Sequence, residues 1–346
     1  MKKDIRQNTL PQLTEYFLSK GEKAFRAKQV YEWLWEKSAV TFDEMTNLSK
    51  SLRDSLQEEF EIRPIRVDNS QHSNDGTIKS AFRLYDEELV EGVLIPADDR
   101  MTACVSSQVG CSLTCKFCAT GYMDRKRNLE AGEIYDQVVA IDRQAKASFD
   151  QPLSNIVYMG MGEPLLNYKN VLDSIDRITA PDGLNMSPKR ITVSTAGIAK
   201  MIKKLADDEV KFNLALSLHA ADDKKRDQIM PINESNTLEA LKEALQYFYK
   251  KTKNRITFEY ILFYNFNDTL EDAEKLWMFT KQIPSRVNII EYNPIAEADF
   301  QNTEEDRLEK FANFLSKNGV NVHVRRSRGK DIDAACGQLA NKTKSA

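Results

Sequence analysis

From residue 101 onward the chain alternates short apolar runs with longer stretches of helical periodicity, and that alternation leaves few folds open. Strand-like runs fall at 102–107, 154–160, 190–195, 211–218, 255–262 and 286–291. Patterns with apolar residues at three- and four-residue spacing fill 130–148, 167–179, 197–206, 237–252, 269–281 and 303–317. A strand, a helix and a second strand in series make a parallel pair with a right-handed crossover. Six such units predict an α/β architecture built on a parallel sheet. Eight units close a barrel, so six predict an open, partial (βα)6 barrel. A further strand near 320–325 leads into the tail.

The first hundred residues follow other periods. PQLTEYFLSK, AFRAKQVYEWLWEKSA and LSKSLRDSLQEEF read as helices, with Val30, Trp33 and Leu34 forming an apolar stripe. Residues 61–100 change to alternation by two: TIKSAFRLY, ELVEGVLIPA and the start of MTACVSS are separated by turn residues at Asn74-Asp75-Gly76, Asp86-Glu87-Glu88 and Asp98-Asp99. The expected organisation is a helical accessory domain over 1–60, a β-hairpin linker over 61–100, and the barrel with its C-terminal loop over 101–346.

Three of the five cysteines crowd into Cys111-Ser-Leu-Thr-Cys115-Lys-Phe-Cys118, a C-x3-C-x2-C loop with Gly110 before it and Gly121 after it. Thiolates this close can converge on one metal centre. A structural zinc needs four protein ligands, and no fourth Cys or His lies nearby. A 4Fe–4S cube held by three thiolates keeps one iron open for a small molecule. Zinc with a distant ligand, or three unligated thiols, are the plainer alternatives. The odd cysteine count and the crowded loop argue against a disulfide framework and for a reducing cytoplasm. No window of eighteen apolar residues suggests a membrane span, and the charged start lacks the apolar stretch of a secretory signal.

The net charge of −3 argues against a protein that coats nucleic acid by charge alone. Basic residues nonetheless gather at Lys116, Arg125, Lys126 and Arg127, and again in the tail from Arg325 to Lys344. Either cluster alone reads as a solvated face; beside the cysteines, each is also a candidate for phosphate contact. In βα barrels, ligand groups come from the C-terminal ends of strands. The cysteine loop, Gly160-Met-Gly162-Glu163-Pro164, Ser194, Ser217 with His219, and Asn293-Pro294 all fall at such ends, so they are expected on one rim. Taken alone, the glycine-rich turn is an ordinary βα turn, and Cys104 in its strand is a buried small hydrophobe.

C-x3-C-x2-C is the signature loop of the radical S-adenosylmethionine (SAM) superfamily. The run SSQVGCSLTCKFCATG resembles specifically its RNA adenine carbon-2 methyltransferases. The resemblance continues through GMGEPLLN, ITVSTAGI, LALSLHAA, MPIN, YNPI and DIDAACGQL, and covers residues 90 to 340. It implies a 4Fe–4S cluster on Cys111, Cys115 and Cys118, with SAM bound to the open iron. Glu163, Ser194, Ser217, Leu218, His219 and Asn293 match the family's SAM-contact positions, with Gly162 beside Glu163. It further implies that Cys336 takes a methyl group from one SAM, that a second SAM is cleaved to a radical, and that the activated methyl carbon joins the adenine ring. Cys104 then releases the product through a transient disulfide with Cys336, and Glu91 is the proton acceptor. From residue type alone, Glu91 is a solvent-facing strand glutamate.

The partners implied are 23S rRNA, tRNA and an electron donor such as flavodoxin or ferredoxin, with no membrane and a monomeric state. The target adenine must be extruded, and Phe117, Tyr122 and Arg125 are candidates to stack on it. The rival functions are methylation at carbon 8 of adenine, a non-catalytic RNA-binding protein held together by a structural metal, and a radical enzyme acting on another protein.

Overall fold

The computed structural model describes residues 2–341; Lys342 and Lys344 of the basic tail lie outside them. Near the N-terminus, β1 (Lys3–Asp4) pairs in parallel with β2 (Phe60–Glu61) and brackets three helices, α1 (Leu10–Ser19), α2 (Phe25–Trp35) and α3 (Lys50–Glu59). Thr9 opens α1 with a reciprocal capping box to Gln12, and Ser49 caps α3 at Leu52 N. Val30 and Leu34 are buried as the stripe predicts, but Trp33 turns half outward under Lys37 and Trp35 takes the interior place. The bundle is fastened to the rest of the chain by buried Arg6, which donates to Asp4 and, at 2.8 Å, to Asp136. Trp35 packs edge-on against Tyr135, whose hydroxyl donates to the Trp35 carbonyl.

Next come β3 (Arg66–His72), β4 (Ile78–Arg83), β5 (Leu89–Ala97) and β6 (Arg100–Cys104), an antiparallel meander. The short β7 (Gln108–Val109) and β8 (Arg127–Asn128) pair across the cysteine loop. Then α4 (Ala131–Phe149), β9 (Asn155–Tyr158), α5 (Tyr168–Thr179), β10 (Ile191–Thr195), α6 (Ala199–Asp207), β11 (Asn213–Ser217), α7 (Asp223–Ile229), α8 (Leu238–Thr252), β12 (Ile256–Leu262), α9 (Leu270–Thr280), β13 (Ser285–Glu291), α10 (Glu305–Lys317) and β14 (Asn321–Arg325) complete the chain. One ten-stranded sheet runs β14-β13-β12-β11-β10-β9-β6-β5-β4-β3, parallel from β14 to β6 and antiparallel beyond. The six strand–helix units fall where their periodicity puts them. Strand β3 and helix α7 are additions that the periodicity does not show. The meander is not a separate hairpin: β6 pairs with β5 on one side and with β9 on the other, so the sheet passes through it without a break.

Alternation within the parallel strands sorts the side chains. Ile191, Val193, Leu214, Leu216, Ile256, Phe258, Val287 and Ile289 are fully buried in the apolar core. Their alternates Thr192, Thr257, Glu259, Asn288 and Arg325 face a lumen inside the curved sheet. A closed barrel of this class fills its interior with branched apolar residues; a polar interior means a cavity that water or substrate enters.

After β14 the chain crosses to the opposite edge of the sheet. Gly329 N donates to Asp75 Oδ2 at 2.8 Å, and Asp331 accepts from Ser73 Oγ at 2.6 Å and Asn74 N at 3.1 Å. The strap then turns back, and Ala340 N and Asn341 N donate to Glu91. Residues 326–341 therefore tie β14 to the β3–β4 turn and to β5. Asp331→Ala removes two exposed clasps, each worth about 1 kcal/mol. It is expected to raise tryptic cleavage at Arg325–Lys330 several-fold while lowering the melting temperature by no more than about 3 °C, read by timed proteolysis and calorimetry.

Candidate active site

The cysteine loop leaves β7 and is folded by short-range bonds. Cys118 N donates to Cys115 O, Gly121 N to Cys118 O, and Cys111 N to Met123 O. Thr114 adopts φ +50° to make the turn. Cys111, Cys115 and Cys118 line one cavity together with Gly162, Glu163, Ser194, Ser217 and His219. The cavity sits at the C-terminal ends of β9, β10 and β11, so the rim expected from the sequence exists.

The glycine-rich turn after β9 approaches this cavity closely. Gly162 has φ +94°, and a Cβ there would lie 2.5 Å from Gln108 Cβ. Only glycine fits. Beside it, buried Glu163 accepts from Leu165 N at 3.0 Å and from Ala196 N at 2.8 Å. It thus ties the ends of β9 and β10 together while facing the cavity; burial raises its carboxyl pKa, with the backbone donors opposing. Ser194 and Ser217 hydroxyls stand 3.5 Å apart on neighbouring strands. His219, at φ +54°, accepts from Ile261 N through Nδ1 at 3.1 Å. Its pKa is driven down to about 3 by burial and by Arg226, so the ring is neutral with its proton on Nε2. Leu218 is fully buried and turned away, as its alternation with Ser217 and His219 predicts.

Asn293 meets the site through the tail: its Nδ2 donates to the Cys336 carbonyl at 3.1 Å, and its buried Oδ1 has no partner. The tail itself docks on the cysteine loop. Ala119 N donates to Gly337 O at 2.7 Å, and Thr120 Oγ1 to Leu339 O at 2.6 Å. These bonds bring Cys336 beside Cys118. Cys336 is exposed to solvent through the cavity it lines, yet the protein packed around its sulfur raises the thiol pKa, against the pull of Arg325. Cys104, on β6, is buried, and its thiol is pushed up to about 12 by burial and then by the proximity of Cys336. The lumen is lined by both Cys104 and Cys336; the rim cavity is lined by Cys336 but not by Cys104.

Glu91 is buried under the tail, not exposed on a strand face. Its Oε1 lies 3.3 Å from Lys79 Nζ, and its Oε2 accepts from Ala340 N and Asn341 N. Phe117 is buried against the His219 ring at 4.6 Å, a packing role. Tyr122 donates to the Lys116 carbonyl, and Arg125 donates to Asn128; neither faces the rim cavity or the lumen.

One residue of the site escapes sequence reasoning. Arg226 on α7 is fully buried. Its Nε donates to Leu218 O, Nη1 to Asn233 Oδ1, and Nη2 to Ala196 O and Ser217 O. Burial lowers its pKa to about 10, and Cys115 is the strongest opposing influence. No local signal marks it: it sits beside Lys224 and Lys225 in a charged run between LSLHAA and MPIN.

The donor set fits an iron–sulfur cluster. Three soft thiols share a cavity, a buried guanidinium stands beside Cys115, and an unpartnered Asn293 Oδ1 waits nearby. Burial holds Cys111 at about 11 and Cys115 well above its ordinary value; metal ligation is what makes such thiols thiolates. Among the described residues no three Cys, His, Asp or Glu side chains stand in a closed metal-ligand group, so the thiols share the cavity without a preset point of convergence.

The Radical SAM superfamily profile matches residues 105–276, and that of the ribosomal RNA large subunit methyltransferase N-terminal domain matches residues 4–62. A crystal structure of a radical SAM methyltransferase from Sphaerobacter thermophilus superposes with a TM-score of 0.91 at 39% identity, over 97% of this chain and 99% of that one. Fold and rim are thus those of a radical SAM methyltransferase. A protein described as a probable dual-specificity RNA methyltransferase RlmN from Cytophaga hutchinsonii is 63% identical over 99% of this chain and 93% of its own length. The dual-specificity RNA methyltransferase RlmN of Geotalea uraniireducens is 44% identical over 98% and 96%. The chain belongs to the RlmN family of radical SAM RNA methyltransferases, a family whose chemistry implies a 4Fe–4S cluster and SAM.

Arg226→Met keeps the side-chain bulk and leaves four acceptors without their donor. It is expected to destabilise the fold by roughly 3 kcal/mol, measured by denaturant unfolding of the anaerobic protein.

Proposed function

We propose that this chain methylates carbon 2 of adenine in 23S rRNA and in tRNA, with Cys336 as methyl carrier and Cys104 as the thiol that releases product. One observation supports this most: Cys336 stands where the rim cavity and the lumen meet, while Cys111 and Cys115 line only the first and Cys104 only the second. A thiol that must meet SAM on one side and an RNA base on the other needs such a junction.

Carbon 2 of adenine is electron-poor, so direct polar methyl transfer fails there. A cluster on the three thiols, with two SAM per turnover and a flavodoxin- or ferredoxin-type reductant, supplies the one-electron chemistry. The rest falls to the chain. Gly162, Glu163, Ser194, Ser217 and His219, which share the cavity with the thiols, would hold SAM, with Asn293 and the backbone of Leu218 completing the set. Cys336 first carries the methyl group as a thioether; after the one-electron chemistry removes a hydrogen atom from it, its carbon bonds to adenine carbon 2 and the adduct returns one electron to the same redox supply. Glu91, freed when the 340–341 backbone lifts, takes the ring proton. Cys104 thiolate attacks the Cys336 sulfur, the sulfur–carbon bond breaks, its electron pair takes up a proton so that the carbon becomes the methyl group, and the two sulfurs remain as a disulfide for later reduction.

The test is nucleoside mass spectrometry after anaerobic reaction with each RNA. It is expected to show 2-methyladenosine; 8-methyladenosine or unmodified adenosine overturns the reading. Cys336→Ala is expected to abolish methylation, and Cys104→Ala to leave a protein–RNA adduct visible on a denaturing gel. Because Cys104 is held protonated up to about pH 12, product release is expected to quicken with rising pH between 7 and 9, approaching tenfold per unit as the thiolate fraction grows.

A further inference from the structure

The lumen holds a charge imbalance that the steps above leave unused. Six arginines line it, at 100, 255, 286, 325, 326 and 328, against one carboxylate, Glu259. The whole chain has a net charge of −3, so this concentration is local. Four of the six are engaged. Arg100 lies 3.6 Å from Asp99, Arg325 lies 3.7 Å from Glu259, Arg326 pairs with Glu305, and Arg328 donates to the Asp75 carbonyl. Among the described residues neither Arg255 nor Arg286 has a carboxylate within ion-pair distance; Glu259, already paired with Arg325, is the one carboxylate that acts on Arg286 from farther away. These two arginines are also close to each other: after burial, Arg255 is the main influence that lowers the Arg286 pKa.

Position says what such a pair is for. Arg255 immediately precedes β12 and Arg286 is the second residue of β13, opposite Thr257. Both therefore stand at the N-terminal mouth of the lumen, facing away from the cysteine rim. Between them and Cys336 the wall carries the uncharged Thr257, Asn288, Asn155 and Thr192, and then the paired Glu259 and Arg325 beside the sulfur. From Arg286 to Ile290, which borders the rim cavity, the strand rises about 13 Å. Two cations without a paired carboxylate at the mouth, neutral polar groups next, and a reactive sulfur at the end beside a self-paired Glu259 and Arg325 match the order of a nucleotide: phosphate, sugar, base. Planar guanidiniums are suited to gripping phosphate oxygens in pairs.

We infer that Arg255 and Arg286 together grip a phosphodiester of the RNA strand that carries the extruded adenine, so that the base enters through the N-terminal mouth and meets Cys336 from within the barrel. This rests on the reading that the substrate is RNA. The clamp is sequence-independent, which suits an enzyme that accepts two RNAs. Arg255 and Arg286 are positioning residues: they act on the backbone of the substrate, not on its reacting carbon.

The test measures RNA affinity across a salt series, using the full chain purified anaerobically and a tRNA anticodon stem-loop. Arg255→Ala/Arg286→Ala is expected to weaken binding at least tenfold at low salt and to reduce the slope of log affinity against log salt by about 1. Arg255→Lys/Arg286→Lys is expected to recover most of the slope and only part of the affinity. Methylation of Cys336 in the purified protein, read by peptide mass, is expected to equal wild type, showing that the fold and the SAM side are intact. Wild-type affinity and slope in the alanine double variant overturn the clamp while leaving RNA methylation standing. A wild-type chain that neither binds nor modifies RNA overturns the underlying function instead. If the alanine variant loses Cys336 methylation as well, the arginines serve the fold or the SAM side, and the clamp is likewise overturned.

Discussion

The site depends on one buried cation. Arg226 reaches the ends of β10 and β11 from a helix outside the sheet, and it holds three carbonyl oxygens and Asn233 in a single plane of donors. Removing an ion from water costs several kcal/mol even after relaxation. Four charge-assisted hydrogen bonds, at about 1.5–3 kcal/mol each, offset that cost only if all four persist. The arrangement is therefore all-or-none, and it fixes the strand ends that present Ser217, Leu218 and His219. Asn233 passes part of the charge on, donating to Asp223 at 2.9 Å and Asp227 at 2.7 Å. Neutralisation thus takes place at one remove, and the guanidinium keeps a net positive field beside Cys115.

The same economy shapes the other half of the site. The parallel sheet stops short of closure, which leaves an edge at β14 and a polar lumen open to water. A conventional barrel would close that gap with more strands. Here a strap of chain spans it, bonded to the β3–β4 turn at one point and to Glu91 and the cysteine loop at others. Asn293 and Gly337 set the last turn, where Gly337 adopts φ +86° and a Cβ would lie 3.1 Å from Phe117 O. Glu91 takes on two tasks in this setting, an ion pair with Lys79 and a cap for the tail backbone, before any part in chemistry.

Much of the fold was legible because its signal is local. Each strand–helix unit carries its own periodicity, and the boundaries drawn from it fall close to those observed. What was missed lacked an apolar signature. Strand β3, Arg66–His72, is a largely exposed edge strand with a bulge at Val67–Asn69, held by pairing to β4 and not by a buried face. Helix α7 reads as a solvated charge run, DKKRDQI, because nothing in the sequence says that its arginine, alone of its three cations, is buried. The cysteine, glycine and serine positions of the rim were legible as strand ends. The burial of Glu91 was not, since it depends on a tail some 250 residues away folding back on it. Of the lumen arginines, 325, 326 and 328 stood out as a basic run, but Arg100, Arg255 and Arg286 join them only when the sheet curls.

Because the strap is anchored on both margins of an incomplete cylinder, the location of the Cys336 sulfur is set by the distance between those margins. Curvature of the whole sheet is thereby converted into placement of one atom. A lesion that flattens the sheet, however remote from the rim, alters that placement without touching any residue of the pocket. Loss of function in this architecture can therefore originate in mechanics as readily as in chemistry.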